Sequence, residues 1–192
     1  MAGIVAALVM APAASAKVHV SFERIKGYNE PSTPSKYDKV GILKVYGPPT
    51  ARNVLVLNPG TSASASYFVP LGRDVVKRAP NWQVWAVERR ENLLEDQSMF
   101  NKAKAGTATS QQVFDYYLGY ITDPSITKHF QNIPDAKVGF ARNWGMNTEM
   151  QDLRRVVKDA KKLGGKVIVG GRSLGGYCGG VGMRRCDPAD TQ

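Results

Sequence analysis

Three short apolar runs constrain this chain more than anything else in it: VLVL at Val54 to Leu57, VWAV at Val84 to Val87, and VIVG at Val167 to Gly170. Each is rich in β-branched residues and barely alternates between apolar and polar. A strand with one wet face alternates; a strand covered on both faces does not. The runs therefore predict neighbouring strands of a mostly parallel sheet, and parallel strands need helical crossovers that cover both faces.

The helices can be read from the same rule. In SYFVPLGRDVVKRAP, after the first run, Pro70 suits the first turn of a helix and places its regular part from there. Before the last run, Met150, Leu153, Val156, Val157, Ala160 and Leu163 recur at helical spacing. Thr148 to Gln151 fits a capping box, Glu149 and Asp152 suit the positive N-terminal end, and Gly164 suits the C-terminal cap. Two further segments, Val18 to Ile25 and Val40 to Gly47, alternate roughly and predict half-buried strands. Residues 98–147 are too long for a simple crossover and predict an insertion with an aromatic helix in SQQVFDYYLGYI.

The chemistry centres on Gly171-Arg172-Ser173-Leu174-Gly175, a G-x-S-x-G pattern that follows directly on a buried-type strand. A nucleophilic serine needs its hydroxyl exposed on a strained strand-to-helix turn, and small flanking residues let neighbouring backbones close in on it. A Walker loop would need Gly-Lys-Ser/Thr and a dinucleotide fingerprint G-x-G-x-x-G. Neither occurs, and no cofactor is expected.

With this motif in this setting, residues 40–176 resemble the α/β-hydrolase family of esterases, lipases and related serine hydrolases. The resemblance implies an α/β-hydrolase-like, mostly parallel sheet with flanking helices, Ser173 as nucleophile, and a small acyl compound as substrate. LVLNPGTSASASYF, Leu55 to Phe68, stands where the family carries its oxyanion loop, with Asn58-Pro59-Gly60-Thr61 in place of a common His-Gly. The resemblance then assigns one oxyanion donor to the Leu174 amide and the other to the amide of Thr61 or Ser62. Glu88 and Arg89, in the stretch after the fourth strand, are expected to hold this loop near the site. Phe114, Tyr116, Tyr117, Tyr120 and Trp144 offer apolar pocket walls, although aromatic residues at helical spacing more commonly serve the core.

One part of the family pattern is not met. The triad runs serine, acid, histidine, yet His19 and His129 both precede Ser173, and only Asp187 and Asp190 are acids beyond it. Each histidine reads most simply as a surface or locally satisfied residue. Five glycines from Gly175 to Gly182 also suit poorly the regular helix that leaves such an elbow. The expectation is an α/β-hydrolase fold whose C-terminal part is missing, through truncation or a frameshift after Gly176. Such a chain would be inactive as written for want of acid and histidine. The alternative is a non-enzymatic basic binding protein on a degenerate hydrolase scaffold.

Residues 1–16, MAGIVAALVMAPAASA, hold no charge and end in Ala14-Ser15-Ala16, so they read as a signal peptide and imply a secreted or cell-envelope protein. No later window is apolar enough to span a bilayer. The domain proper is then 17–192. The formal charge of +10 is spread over separated pairs such as Arg89-Arg90 and Lys161-Lys162, which predicts a solvated basic surface and no specific nucleic-acid partner. Cys178 and Cys186 could pair in an exported chain, but no disulfide framework holds the body together. The sequence leaves the oligomeric state open.

Overall fold

Valine, tryptophan and alanine make up most of Trp82–Glu88, and five of its seven residues are buried. This strand, β4, lies at the centre of a five-stranded sheet in the computed structural model, which describes residues 17–176. The other strands are β1 (His19–Lys26), β2 (Lys39–Tyr46), β3 (Asn53–Asn58) and β5 (Val167–Gly171). Their order is β1-β2-β4-β3-β5. The three apolar runs form the parallel part, β4-β3-β5, while β1 and β2 join antiparallel on the other side. Residues 1–16 and the tail that carries Cys178, Cys186, Asp187 and Asp190 lie outside the described residues.

Alternation along each inner strand divides the core in two. Val54, Val56, Trp85, Val87, Val40 and Ile42 point to one face, where Leu153, Val156 and Ala160 of α5 (Met146–Lys161) cover them. Leu57, Val84, Ala86 and Val45 point to the other, covered by Ala65, Phe68 and Val76. Phe68 precedes α1 (Val69–Arg78), which begins beside Pro70 as expected and supplies Val76. Each fully buried valine or leucine contributes roughly 1.5–3 kcal/mol through removal of its apolar surface from water. The sequence of β3, α1, β4, α5 and β5 is thus two crossovers that place helices on opposite faces.

Three local expectations need correction. β1 is not half buried: all but one of its residues are exposed, and Ile25 is the residue that packs against the core. The capping box at Thr148 does not form. α5 starts earlier, with Gly145 as N-cap, and Thr148 Oγ1 donates to the Asn143 carbonyl at 2.9 Å. A capping box does form at Thr109 and Gln112, opening α3 (Ser110–Tyr117). Finally, β5 is not covered on both faces: among the described residues it is an edge strand, none of its residues is buried, and Ile168 is 50% exposed. Within α5, Asp152 is 4% exposed and accepts from Arg90 through both oxygens and from the Tyr28 amide.

Residues 98–147 contain no strand. They form α2 (Ser98–Lys104), α3, α4 (Asp135–Val138) and two 3-10 turns, Gly119–Ile121 and Gly139–Asn143. They are tied to the segment after β4, where the Tyr116 hydroxyl donates to Asp96 Oδ2 and the Tyr117 hydroxyl to the Asp96 carbonyl, both at 2.7 Å. They are also tied to the β1–β2 connection, where the Asn143 side chain donates to Ser32 Oγ at 2.6 Å. The Tyr116 hydroxyl first, and Ser98 next, hold the Asp96 carboxyl below the usual aspartate range. Among the described residues no helix is long and apolar enough to cross a membrane.

Candidate active site

The parallel strands β3, β4 and β5 end on the same side of the sheet, and each runs straight into a loop that carries chemistry. After β5 comes the turn at Ser173, whose φ is +52°. An L-residue in this left-handed region costs about 1–2 kcal/mol, so the surrounding contacts must hold it there. They include Gly175 N–H donating to Arg172 O and Gly176 N–H donating to Ser173 O, both at 2.9 Å, and Arg172 N–H donating back to Asn58 O at 3.2 Å. A helical turn opens at Leu174.

Both motif glycines are required by packing. A Cβ on Gly171 would stand 2.4 Å from the carbonyl of Gly175, and a Cβ on Gly175 would stand 2.1 Å from the Asn58 oxygen. The strand end, the elbow and the loop after β3 therefore touch backbone to backbone. Ser173 sits against that loop: a Cβ on Gly60 would lie 3.1 Å from Ser173 Cβ and 3.7 Å from its hydroxyl oxygen. The chain then turns sharply through Thr61 and Ser62, the latter at φ +57°, and Ala63 N–H closes the turn on Gly60 O at 3.3 Å. The structure thus brings together Ser173, the elbow residue Leu174 and the Gly60-Thr61 turn.

The segment after β4 fixes that turn. Glu88 accepts the Ala65 amide through Oε2 and the Asn92 side chain through Oε1. Arg89 Nη2 donates to the Gly60 carbonyl at 2.9 Å, and Nη1 faces Glu149 of α5 at 3.9 Å. Arg90 turns the opposite way and is only 1% exposed. It bonds both oxygens of Asp152 at 2.8 Å, Asp38 at 3.2 Å and the Tyr28 carbonyl at 2.9 Å. Burial by itself would lower the Arg90 pKa, but hydrogen bonds and charge from Asp152 and Asp38 outweigh it and hold the group above its ordinary value. This buried cluster was missed in the sequence because nothing in Arg89-Arg90 says that two adjacent arginines face opposite ways. The period-two geometry of an extended chain was the available signal.

Beside the serine, Arg172 is exposed and its guanidinium lies 5.1 Å from the Tyr67 ring centre. The five aromatic residues considered as pocket walls are engaged elsewhere. Trp144 is buried, with its indole N–H on Thr33 Oγ1 at 2.7 Å; Tyr117 stacks on Phe100; Tyr120 stacks on His129; Phe114 is half exposed. A cleft of about 440 Å³ lies instead between residues 93–96 and 130–138, with Leu93, Leu94, Phe130 and Ile133 among its walls.

Neither histidine is paired with Ser173. His19 stacks on Tyr46 in β1, four strand spacings from β5, which is roughly 19 Å across the sheet. His129 shares its Nδ1 with the Phe130 carbonyl and stacks on Tyr120. Among the described residues, no three His, Cys, Asp or Glu side chains are grouped to hold a metal ion.

No protein-family model matches the sequence, and no curated protein matches it. Solved structures do. A protein of Sulfolobus solfataricus assigned as a lipase superposes with a TM-score of 0.54 at 16% identity, over 84% of this chain and 39% of its own. The esterase Est22 gives a TM-score of 0.47 at 16% identity, over 93% of this chain and 42% of its own. This chain spans about two fifths of the length of either. Its likeness to the first, together with the mixed five-stranded sheet and flanking helices, gives it the α/β-hydrolase fold over the part that it covers.

Proposed function

We propose that this chain carries the nucleophile half of a serine hydrolase site, with Ser173 attacking the carbonyl carbon of a small acyl substrate such as an ester. The observation that carries the reading is the serine at φ +52° between two glycines that packing requires, pressed against the turn at Gly60. In such a step the hydroxyl oxygen bonds to carbon, and the hydroxyl proton passes to solvent water because neither histidine is paired with Ser173. The C=O π pair moves to the carbonyl oxygen as negative charge. The amides of Leu174 and Thr61 are the donors proposed for it, each worth about 3 kcal/mol when aimed at a developing oxyanion. A serine with no base is a weak nucleophile, so the chain by itself is expected to turn over ester poorly or not at all. Residual catalysis of roughly 10³–10⁴ over water is the ceiling set by oxyanion stabilisation and binding alone in serine proteases.

The test is labelling with a fluorophosphonate probe. Modification of Ser173 that disappears in Ser173→Ala supports the proposal. A folded sample that does not label favours a binding protein on a hydrolase scaffold. Export belongs to the same reading: Ala14-Ser15-Ala16 is proposed as a cleavage signal, so secreted material should begin at Lys17. Soluble cytoplasmic product that retains Met1 would count against it.

A further inference from the structure

Between Asn58 at the end of β3, the segment after β4 and helix α5 lies a small, partly enclosed cavity of about 10 Å³. Its walls include Asn58, Arg89, Arg90, Glu91, Glu149 and Asp152. Three buried polar atoms at its edge have no hydrogen-bond partner among the described residues: Nε and Nη1 of Arg89 and Oε2 of Glu91. An unsatisfied buried donor or acceptor costs about 1–3 kcal/mol, more when charged, so three at one cavity call for a common partner.

We infer that this cavity is a binding site for one structural water, which accepts from Arg89 and donates to Glu91. The volume is about that of one water-sized centre, which excludes any larger ligand. A metal cation is excluded by the positive charge of the Arg89 and Arg90 guanidinium groups in the lining. An anion is excluded by the carboxylates of Glu91 and Glu149, which line it with Arg89. Water alone offers both acceptor lone pairs for Nε–H and Nη1–H and a proton for Glu91 Oε2, and two to four such partners are what buried waters usually have.

The site bears on the proposed catalytic turn but does not depend on it. Arg89 reaches the Gly60 carbonyl with Nη2, so a water that fixes the rest of the guanidinium fixes that hydrogen bond as well. Arg89 is thus a positioning residue, and the water is part of the support that presses Gly60 on Ser173.

Crystals of the full chain at a resolution that places ordered solvent test this directly. The expected result is one peak about 2.9 Å from Arg89 and from Glu91 Oε2. Glu91→Gln should keep it, and Glu91→Leu, which fills the space and removes the acceptor, should lose it. Should Glu91→Leu not fold, NMR of the wild-type chain replaces it: the Arg89 Nε–H should show a cross-peak to a long-lived water. An empty cavity, a direct Arg89–Glu91 ion pair that closes it, or bromide that occupies it in a soak would each overturn the inference. Because none of these readouts involves catalysis, failure of Ser173 to label leaves this test unaffected.

Discussion

The carbonyl oxygen of Asn58 and the α-carbon of Gly175 approach so closely that a Cβ on Gly175 would stand 2.1 Å from that oxygen. The loop after β3 and the elbow after β5 are thereby one packed unit, held by backbone atoms that cannot rotate away. Gly175→Ala should consequently lower stability by more than the roughly 1–3 kcal/mol usual for overpacking, and should abolish any labelling of Ser173. Gly171→Ala, whose Cβ would meet the Gly175 carbonyl at 2.4 Å, should behave alike. Gly139→Ala is the control: it has φ −54° and open space around it, and should be neutral or stabilising by up to about 1 kcal/mol. Urea unfolding of the three variants checks the order.

Strain at Ser173 gives a second expectation. Glycine meets no steric penalty at φ +52°, whereas a β-branched residue meets the most. Ser173→Gly should be at least as stable as the wild type to within about 0.5 kcal/mol, after allowance for the greater entropy of glycine in the unfolded chain. Ser173→Val should be less stable than both. Thermal melts of the three proteins would refute the strained elbow if valine proved the most stable.

The Arg90 cluster should dominate stability without taking part in the chemistry. Arg90→Met leaves Asp38 and Asp152 buried without their cation, which should cost about 3–5 kcal/mol. Adding Asp38→Asn and Asp152→Asn to Arg90→Met should recover part of that loss, because the uncompensated charge is then gone. Chemical denaturation of the single and triple variants gives both values.

Glu91 supplies a pH dependence. Burial, first, and the charge of Glu149 raise its pKa, against the opposing effects of a hydrogen bond from its own backbone amide and of the Arg89 and Arg90 charges. A carboxyl that holds its proton more tightly when folded adds stability below the ordinary glutamate pKa, and this is lost as pH rises through the folded value. Glu91→Gln cannot lose a proton, so its stability relative to the wild type should improve from acidic to neutral pH. Equal pH profiles for the two proteins would contradict the assignment.

The sequence by itself determined the frame. Val54 to Leu57 and Val84 to Val87 became inner parallel strands because burial on both faces leaves a run without alternation, and that pattern survives in one dimension. The same holds for the apolar face of α5 and for Ser173 between its glycines. Val167 to Gly170, with the same pattern as the inner strands, became instead an edge strand of the described residues, with no buried residue. Tertiary structure alone decided the pairings that depend on facing direction. Thr148 lost its cap because Asn143 offered a carbonyl and the helix began earlier. Asp152 is buried rather than merely near a helix end because Arg90, sixty-two positions earlier, points into the same space. Arg89, its neighbour, points at Gly60. Such choices are set by which groups share a low-dielectric site once the sheet is assembled, and charge, unlike apolar period, leaves no mark in the sequence of which partner it will meet.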